Sequence, residues 1–297
     1  MTDNTIRVGV LANPMVLHWQ EAALETVEAV DGASIERVVV DASVRDDSSV
    51  LKQGADAINR GARLSPSDLA LFVDVLREEK LKAFIYADRK LGWMLFGEGD
   101  GADARQSKPI ESVDVLSDVR THEVEPVPAG GAWNTLPDDI TETLGAECDV
   151  LVRFGFGLLK GPVLDVTEHG VLSTHGCDIR DYRGMGPKIT FVNDDDRVAV
   201  TLQQLTEDID GGRIVEIDSR ELPPDPTYAD ISEATAAIQR DIFATGVEKL
   251  ASPDFEPWEP EELGTYHSHT KQREEPGFVA RFLLKNNYRR VKRHFSD

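Results

Sequence analysis

Short apolar runs rich in β-branched residues alternate with longer amphipathic segments at the start of this chain. IRVGVL (6–11) and ASIERVVV (33–40) predict strands, and MVLHWQEAALETVEAV (15–30) between them has helical spacing. This order is typical of crossover connections, which place their strands parallel in one sheet. We therefore expect an α/β, Rossmann-like fold, in which a mostly parallel sheet carries helices on both faces. No G-x-G-x-x-G follows the first strand, so the usual dinucleotide fingerprint is absent.

Comparable patterns predict the remaining elements. A helix over 64–80 has Ser65 as its N-cap and Pro66 in its first turn. A long helix later in the chain has Asp230 as its cap. Further strands are predicted at residues 82–87, 121–127, 148–156, 171–175, 198–205 and 213–217, further helices at 137–147 and 229–251, and a long surface loop at 97–118.

The charge of the chain restricts its partners. Its 54 acidic and 32 basic residues give a formal net charge of −22. An acidic surface that is poor in lysine is typical of halophilic proteins, in which high salt screens the self-repulsion. The same surface repels nucleic acid at low salt, so we expect no DNA partner and an unfavourable interaction with tRNA.

Neither a membrane span nor a signal peptide is visible in the sequence. No run of about 18 apolar residues occurs, and the N-terminus lacks a basic region followed by a long apolar run. We therefore expect a cytoplasmic protein. Cys148 and Cys177 have neither the spacing of a metal site nor that of a disulfide framework, so we expect plain thiols and no metal.

Chemically active residues follow three of the predicted strands. His175 ends VLSTH, the stretch Phe154–Gly157 ends the strand before it, and Asp210 lies in the loop between the next two strands. Ligands of open α/β sheets bind beyond the carboxyl ends of the strands, so we expect these groups to converge. A histidine with an aspartate partner can be oriented for proton transfer or for stabilisation of an oxyanion. Each feature alone is also typical of an ordinary turn or of a structural histidine.

The order of these motifs resembles the folate-dependent formyltransferase family, which includes methionyl-tRNA, glycinamide ribonucleotide and sugar-nucleotide N-formyltransferases. The resemblance covers roughly residues 148–220. It rests on Asp149, Phe154-Gly155, Leu164, Gly170, His175, Tyr182-Arg183-Gly184, VAVTL and Asp210-Gly211-Gly212.

The resemblance implies a Rossmann-like enzyme that uses 10-formyltetrahydrofolate as formyl donor, without a metal. It implies that an acceptor amine attacks the formyl carbon, with His175 and Asp210 as catalytic residues and Ser173 at the position of the family's asparagine. The residues that it implies for the pterin are Phe156, Gly157, Leu158, Leu159, Thr206, Glu207 and Asp208. Those implied for the acceptor are Asp178, Arg180, Tyr182 and Arg183.

Two departures from the family pattern stand close to the predicted site. Ser173 has a shorter side chain than the family's asparagine, and loss of an oxyanion donor typically lowers turnover by on the order of a hundredfold or more. Cys177–Arg180 replaces the usual Ser-Leu-Leu-Pro after the histidine. A non-catalytic relative that binds folate or a nucleotide is therefore an alternative to an active transferase.

The acceptor is open to more than one interpretation. Methionyl-tRNA formyltransferases carry a further C-terminal barrel, and the roughly 45 residues after the long helix are too few for one. An amino sugar on a nucleotide is the favoured small-molecule acceptor, with a methionyl-tRNA formyltransferase-like protein as the alternative. Another Rossmann-like enzyme, in which Arg183 and Lys188 grip a phosphate, is the third hypothesis.

The end of the chain differs in charge from the rest. We expect a catalytic domain over residues 1–252, followed over 253–297 by an acidic, proline-containing linker and a basic tail. Residues 271–297 contain eight basic and three acidic residues, and apolar residues recur in the tail with helical spacing. The tail predicts an amphipathic helix that docks on this domain or on a second subunit of a homodimer. The alternative is peripheral contact with an anionic membrane surface.

Overall fold

A seven-stranded sheet forms the centre of the computed structural model, which describes residues 5–45, 66–96 and 106–295. The strands are β1 (Ile6–Ala12), β2 (Met15–Leu17), β3 (Ala33–Asp41), β4 (Ser107–Pro109), β5 (Arg120–Val124), β6 (Val127–Pro128), β7 (Trp133–Thr135), β8 (Val150–Arg153), β9 (Leu158–Leu159), β10 (Val171–His175), β11 (Tyr182–Gly184), β12 (Arg197–Gln204), β13 (Arg213–Glu221) and β14 (Thr265–His267). The helices are α1 (His18–Glu28), α2 (Pro66–Glu79), α3 (Lys82–Phe96), α4 (Asp138–Glu147), α5 (Pro187–Asn193), α6 (Tyr228–Leu250), α7 (Lys271–Glu274) and α8 (Pro276–His294).

The strand order of the large sheet is β13–β12–β10–β8–β1–β3–β5. The five strands from β10 to β5 are parallel to one another. β12 runs antiparallel to β10, and β13 runs antiparallel to β12, so these two form an antiparallel edge. The predicted α/β, Rossmann-like fold with a mostly parallel sheet is confirmed.

Two hydrophobic cores cover the two faces of this sheet. Val8 and Val10 of β1 belong to the core that includes buried residues of α1 and α6. Leu11, the residue after Val10, points to the other face and belongs to the second core, with Leu144 of α4 and Leu151 of β8. Because both faces are buried, the strand shows a continuous apolar run rather than an alternating one.

The predicted strand over 82–87 is wrong, because these residues begin helix α3. A short apolar run has the same composition in a strand and in a buried helix, so its periodicity does not separate the two. Ala83 and Ile85 are buried. One turn later Asp88, also buried, forms an ion pair with Arg290 of α8 at 2.8 Å. The buried face of α3 thus depends on a residue about 200 positions away, which the local sequence does not show.

The cap of α6 is Thr227 rather than the predicted Asp230. The Thr227 hydroxyl accepts a hydrogen bond from the backbone N–H of Asp230 at 3.4 Å. The Asp230 carboxylate in turn accepts from the backbone N–H of Thr227 at 2.7 Å. The two residues therefore form a capping box in which the aspartate is the third helical residue.

Other predicted boundaries change in detail. The strand predicted over 148–156 ends at Arg153, where the chain turns. The described part of the predicted loop, 106–118, contains β4 and two short 3-10 turns. Ser65 and residues 97–105 lie outside the described residues.

The C-terminal residues share the core of the preceding part of the chain. Val279 and Phe282 of α8 are buried in the first core. The Phe282 ring lies 5.0 Å from the rings of both Phe191 and Tyr228. β14 pairs in parallel with β11. The division of the chain after residue 252 stays a prediction, although described residues on both sides of it pack together.

Basic residues of α8 dock on carboxylates of the same chain. Lys285 and Arg289 both pair with Asp194, the lysine at 2.6 Å. Arg293 pairs with the Asp230 carboxylate at the start of α6. The predicted amphipathic helix is therefore present and docks on its own domain.

Part of the outer face of α8 stays apolar. Leu284, Tyr288 and Phe295 are exposed. Within the described ranges, no helix combines the length and the apolar character needed to cross a bilayer. Contact of this face with a membrane surface or with a second subunit stays a prediction.

Replacing Phe282 by alanine tests the docking of the tail. Phe282 is 1% exposed, so we expect Phe282→Ala to lower the free energy of unfolding by about 3–5 kcal/mol. The matched control is Leu284→Ala on the same helix, where the side chain is 73% exposed and the expected change is within about 0.5 kcal/mol. Urea unfolding of both variants measures the difference. Equal, small losses would contradict the docked helix.

Acid should weaken the same docking through Asp194. Desolvation raises the pKa of this carboxyl, but the hydrogen bond from Lys285 and the charge of Arg289 outweigh it and hold the pKa below its ordinary value. A lowered pKa contributes stability above the unfolded value of about 3.9 and loses it as the pH falls through the folded value.

The urea midpoint of Asp194→Asn, compared with wild type, measures this contribution. We expect the variant to be less stable than wild type at pH 7 and the gap to close at acid pH, below the folded pKa of Asp194. Asp218→Asn, at an exposed carboxylate of β13, is the control and should show no such change. A gap of the same size at both pH values would argue against the ionised pair.

Candidate active site

Ser173 and His175 lie on β10 at the carboxyl edge of the parallel strands. They are two residues apart on one strand, so their side chains point to the same side of the sheet. Ser173 is 4% exposed and His175 is 7% exposed. A buried hydroxyl and a buried imidazole therefore stand side by side where open α/β sheets bind ligands.

Asp210 meets His175 from the loop between β12 and β13. The distance between His175 Nδ1 and Asp210 Oδ1 is 3.2 Å. Asp210 has a backbone φ of +49°, which places it in the left-handed region of a tight turn. The predicted convergence of these two side chains is present in the structure.

The surroundings of Asp210 favour its charged form. Desolvation raises the pKa of this carboxyl, but the hydrogen bond and charge interaction with His175, together with the backbone N–H of Gly184, outweigh it and lower the pKa. The Gly184 N–H donates to Asp210 Oδ2 at 2.9 Å. A carboxylate held from two sides orients the imidazole that contacts it.

This arrangement can move a proton. When Nδ1–H of His175 donates to Asp210, Nε2 carries the free electron pair of the neutral ring. His175 Nε2 is buried and has no hydrogen-bond partner among the described residues. A histidine that is fixed by a carboxylate and has a free basic nitrogen is suited to act as general base or acid.

Gly184 connects this pair to the C-terminal segment. Its φ is +88°, and a Cβ at this position would lie 2.1 Å from the carbonyl oxygen of His267. Both its backbone conformation and the close approach of β14 therefore require glycine. Its N–H is the group that holds Asp210, so the pairing of β11 with β14 supports the candidate catalytic carboxylate.

The first predicted folate-binding segment forms a turn after β8. Phe156 and Gly157 both have positive φ values, of +65° and +61°. The Phe156 side chain is buried in the second core, and its carbonyl accepts from Asn134 Nδ2 at 3.2 Å. Leu158 and Leu159 then form β9. This segment can meet a ligand through its backbone, whereas the Phe156 ring faces the core.

The second predicted folate-binding segment lies against the chain just after the first. Glu207 Oε1 accepts a hydrogen bond from the Gly161 N–H at 3.3 Å. The Thr206 hydroxyl donates to the Gly211 carbonyl at 3.4 Å and accepts from the Asp208 N–H at 3.3 Å. The second segment thus contacts the chain two residues after β9 and is tied to Gly211, the residue that follows Asp210.

Three of the residues predicted for the acceptor make contacts with other groups of the protein. Arg180 donates to both carboxylate oxygens of Asp178, at 2.9 and 2.6 Å, and lies 5.7 Å from the Trp258 ring centre. Desolvation raises the pKa of Asp178, but the hydrogen bonds from Arg180 outweigh it and lower the pKa. The Tyr182 hydroxyl accepts from Asn193 at 3.1 Å. Their role toward an acceptor stays a prediction.

Arg183 braces the loop that carries the candidate catalytic carboxylate. Its Nε donates to the Gly264 carbonyl at 3.1 Å, and its Nη1 donates to the Ile209 carbonyl at 3.4 Å. Lys188, the other residue of the predicted phosphate grip, lies 5.9 Å from the ring centre of Tyr228. These contacts give Arg183 a structural role, and its contact with an acceptor stays a prediction.

Arg153 is a site residue that the sequence reasoning missed. It is the last residue of β8, and its Nη2 donates to the Ser173 hydroxyl at 3.2 Å. Its Nη1 donates to the carbonyls of Gly155, at 3.3 Å, and Gly157. The available signal was a single arginine at the end of a buried apolar strand.

His269 is a second missed residue, from the segment predicted as a linker. Burial lowers its pKa, Lys188 and Lys82 lower it further, and Asp210 raises it, so this imidazole lies within electrostatic reach of the site. Its Nδ1 is 3.2 Å from Gln272 Nε2. No local motif marks it, because its position near the site depends on the pairing of β14 with β11.

Cys148 and Cys177 are not part of the pair formed by His175 and Asp210. Burial raises the pKa of Cys148 to about 12 and raises that of Cys177 as well, so both are protonated at neutral pH. Cys177 Sγ donates to the Tyr182 carbonyl at 3.0 Å. Among the described residues, no group of three or more His, Cys, Asp or Glu side chains is arranged to hold a metal ion.

The chain is similar in sequence to curated methionyl-tRNA formyltransferases. It is 25% identical to that of Lactobacillus delbrueckii subsp. bulgaricus over 130 residues, which are 42% of this chain and 41% of that protein. It is 21% identical to that of Fusobacterium nucleatum subsp. nucleatum over 162 residues, 52% of this chain and 50% of that protein. The chain thus spans half or less of the length of these relatives. No family model matches it.

Solved structures share the fold over most of the chain. A sugar N-formyltransferase from Shewanella sp. FDAARGOS_354 has a TM-score of 0.53 at 9% identity, covering 95% of this chain and 87% of that one. The N-formyltransferase from Helicobacter canadensis, solved with folinic acid and dTDP-3-aminofucose, has a TM-score of 0.50 at 10% identity, covering 95% and 80%.

Replacing Gly184 tests the support of Asp210. Gly184→Ala should lower the free energy of unfolding by about 1–3 kcal/mol, because an alanine is strained at this φ and its Cβ overlaps the His267 carbonyl. The control is Gly277→Ala in α8, where a Cβ meets nothing within 4 Å and the expected effect is a gain of about 0.5–1 kcal/mol. Thermal unfolding compares the two. A neutral Gly184→Ala would show that the approach of β14 to β11 is not as described.

Proposed function

Since this chain contains a domain of the formyltransferase family, we propose that it transfers a formyl group from 10-formyltetrahydrofolate to an amine of a small acceptor, favouring an amino sugar of a sugar nucleotide. The observation that carries the proposal is the contact of His175 Nδ1 with Asp210 at 3.2 Å, at the carboxyl edge of the sheet. The family domain and the fold support the reaction class.

The proposed reaction needs a proton acceptor beside the formyl carbon. The acceptor amine attacks that carbon, a new C–N bond forms, and the carbonyl electrons move onto the formyl oxygen. The bond to N10 of the folate then breaks, and N10 leaves with a proton, which yields a formamide and tetrahydrofolate. His175 Nε2 takes the amine proton and returns it to N10, while Asp210 holds the ring and stabilises its charged form.

The two neighbouring loops support a folate site. The loop over 205–208 contacts the chain just after β9, where Glu207 accepts a hydrogen bond from the Gly161 N–H. The family resemblance implies that backbone groups of both segments bind the pterin. The folate is a co-substrate in this proposal, and no metal takes part.

The acceptor preference rests on the charge of the chain. A net charge of −22 disfavours a tRNA phosphate backbone, whereas it places no such limit on a small nucleotide. The curated relatives are methionyl-tRNA formyltransferases, so a tRNA-linked amine is the second candidate. Ser173 in place of an asparagine favours a third, a folate-binding relative without turnover.

The same charge supports a halophilic, cytoplasmic setting as part of the proposal, so the assay includes molar salt. Wild-type protein is mixed with 10-formyltetrahydrofolate and either amino-sugar nucleotides or methionyl-tRNA, and tetrahydrofolate release is followed. We expect release with an amino-sugar nucleotide. His175→Ala should lower turnover by on the order of 10²–10⁴-fold. His122→Ala, on edge strand β5, is the control and should leave turnover unchanged.

The other outcomes separate the alternatives. Release with methionyl-tRNA only would establish the second candidate. No release from wild type but release from Ser173→Asn would mean a binding protein with a degenerate site. No release from either, with no folate binding by titration, would exclude formyl transfer.

A further inference from the structure

Arg153 and Ser173 are neighbours because β8 and β10 pair in parallel. The register joins Leu151 with Val171 and Val152 with Leu172, so the next residue of each strand stands at the same level. The Arg153 Nη2 reaches the Ser173 hydroxyl at 3.2 Å. The Arg153 guanidinium therefore contacts Ser173, which lies two residues before His175 on β10 and points to the same side of the sheet as His175.

Arg153 is half-buried and has no carboxylate among its described hydrogen-bond partners. Those partners are the Ser173 hydroxyl and the carbonyls of Gly155 and Gly157. Its Nε is buried and has no hydrogen-bond partner among the described residues. Burying a charge is costly unless it is paired. Desolvation accordingly lowers the pKa of Arg153, while the charge of Asp210 raises it.

Two buried nitrogens thus lack hydrogen-bond partners in the same site, within the described part of the chain. One is Arg153 Nε, a permanent donor, and the other is His175 Nε2. A donor with positive charge suits an oxygen that becomes negative, and a basic nitrogen suits the proton of an attacking amine. The attack of the amine on the formyl carbon needs both groups, a donor to the formyl oxygen and an acceptor of the amine proton.

We propose that Arg153, together with the Ser173 hydroxyl, binds the formyl oxygen and stabilises the negative charge that develops on it. This inference rests on the proposed formyl transfer. It assigns to an arginine of β8 the donor role for which this chain lacks the family's asparagine at position 173. No atom is transferred to or from Arg153, because the guanidinium stays protonated throughout.

The geometry of arginine allows this role alongside a structural one. Nη1 holds the turn after β8 through the Gly155 and Gly157 carbonyls. Nη2 and Nε belong to the other edges of the same planar group, which carries five N–H donors. Lysine carries the charge as a point and cannot serve these positions together, so it does not replace arginine here.

Variants at positions 153 and 173 test the proposal. Arg153→Met removes the charge and keeps an apolar stem, and we expect kcat to fall by on the order of 10²–10³-fold. The affinity for tetrahydrofolate should change by less than about threefold. Adding Ser173→Asn to Arg153→Met should recover at least about tenfold of the loss, because the amide restores a donor. Arg153→Lys, the second variant if the first folds poorly, should keep the fold and still lose kcat.

A buried arginine outside the site provides the matched control. Arg37 of β3 is 4% exposed, its Nε also lacks a hydrogen-bond partner in the described ranges, and it pairs with Glu147. Arg37→Met should lower stability and leave the kcat of folded protein unchanged. The comparison separates loss of a buried charge from loss of a group that acts on the formyl oxygen.

A binding measurement makes the test independent of the acceptor. Sodium formate is titrated into the protein saturated with tetrahydrofolate, because formate presents the carbon and oxygens of the transferred group. We expect Arg153→Met to weaken formate binding by about tenfold or more, the loss of a charge-assisted hydrogen bond.

The outcomes separate this inference from the proposed function. If wild type is active and Arg153→Met changes neither kcat nor the affinity for formate, the inference is overturned and formyl transfer is left intact. A fall in kcat accompanied only by lost folate binding would also overturn it, since the arginine would then merely shape the turn. An inactive wild type would overturn formyl transfer. In that case, formate binding that depends on Arg153 would still support the oxyanion site. Formate binding that does not depend on Arg153 would overturn the oxyanion site as well.

Discussion

The parallel pairing of β8 with β1 on one side and β10 on the other is the constraint on which the site depends. Because parallel strands end at the same edge, this pairing brings Arg153 and Ser173 together and places His175 just beyond them. β12 runs antiparallel to β10, with Gln204 opposite Leu172, so the loop after β12 starts at the amino end of β10 and folds back to bring Asp210 to the His175 imidazole. Two hydrophobic cores, one on each face, fix the strands that carry these side chains.

The C-terminal segment is part of the same construction. β14 lies beside β11, and Gly184 between them donates its N–H to Asp210. Helix α8 anchors that segment through the buried Phe282 and through carboxylates such as Asp194. The basic tail thus has a structural use within an acidic chain: it neutralises carboxylates of its own domain and holds one wall of the site in place. This docking role does not explain the exposed apolar residues of the tail.

Much of the fold and the centre of the site could be predicted from the sequence. The parallel strands were predictable because burial on both faces leaves continuous β-branched runs. The approach of Asp210 to His175 was expected from their positions after neighbouring strands, but β12 runs antiparallel to β10, so the contact depends on how the loop over 205–212 folds back. Helix α3 was mistaken for a strand because its buried face is completed by Arg290, some 200 residues away. Arg153 and His269 were missed for the same reason, since each acquires its meaning from a distant partner. Asp178 and Arg180 pair with each other, and their predicted role toward an acceptor stays a prediction.

The most direct test of the account is a single-turnover experiment with 10-formyltetrahydrofolate labelled with ¹³C in the formyl group. Protein in excess over folate is mixed with an amino-sugar nucleotide in molar salt, and the ¹³C resonance is followed by NMR. With His175 as the proton acceptor, the label should move from the folate to a formamide of the acceptor in wild type and move at least about a hundredfold more slowly when His175 is alanine. A label that stays on the folate in wild type, or that moves at the same rate without the imidazole, would contradict it.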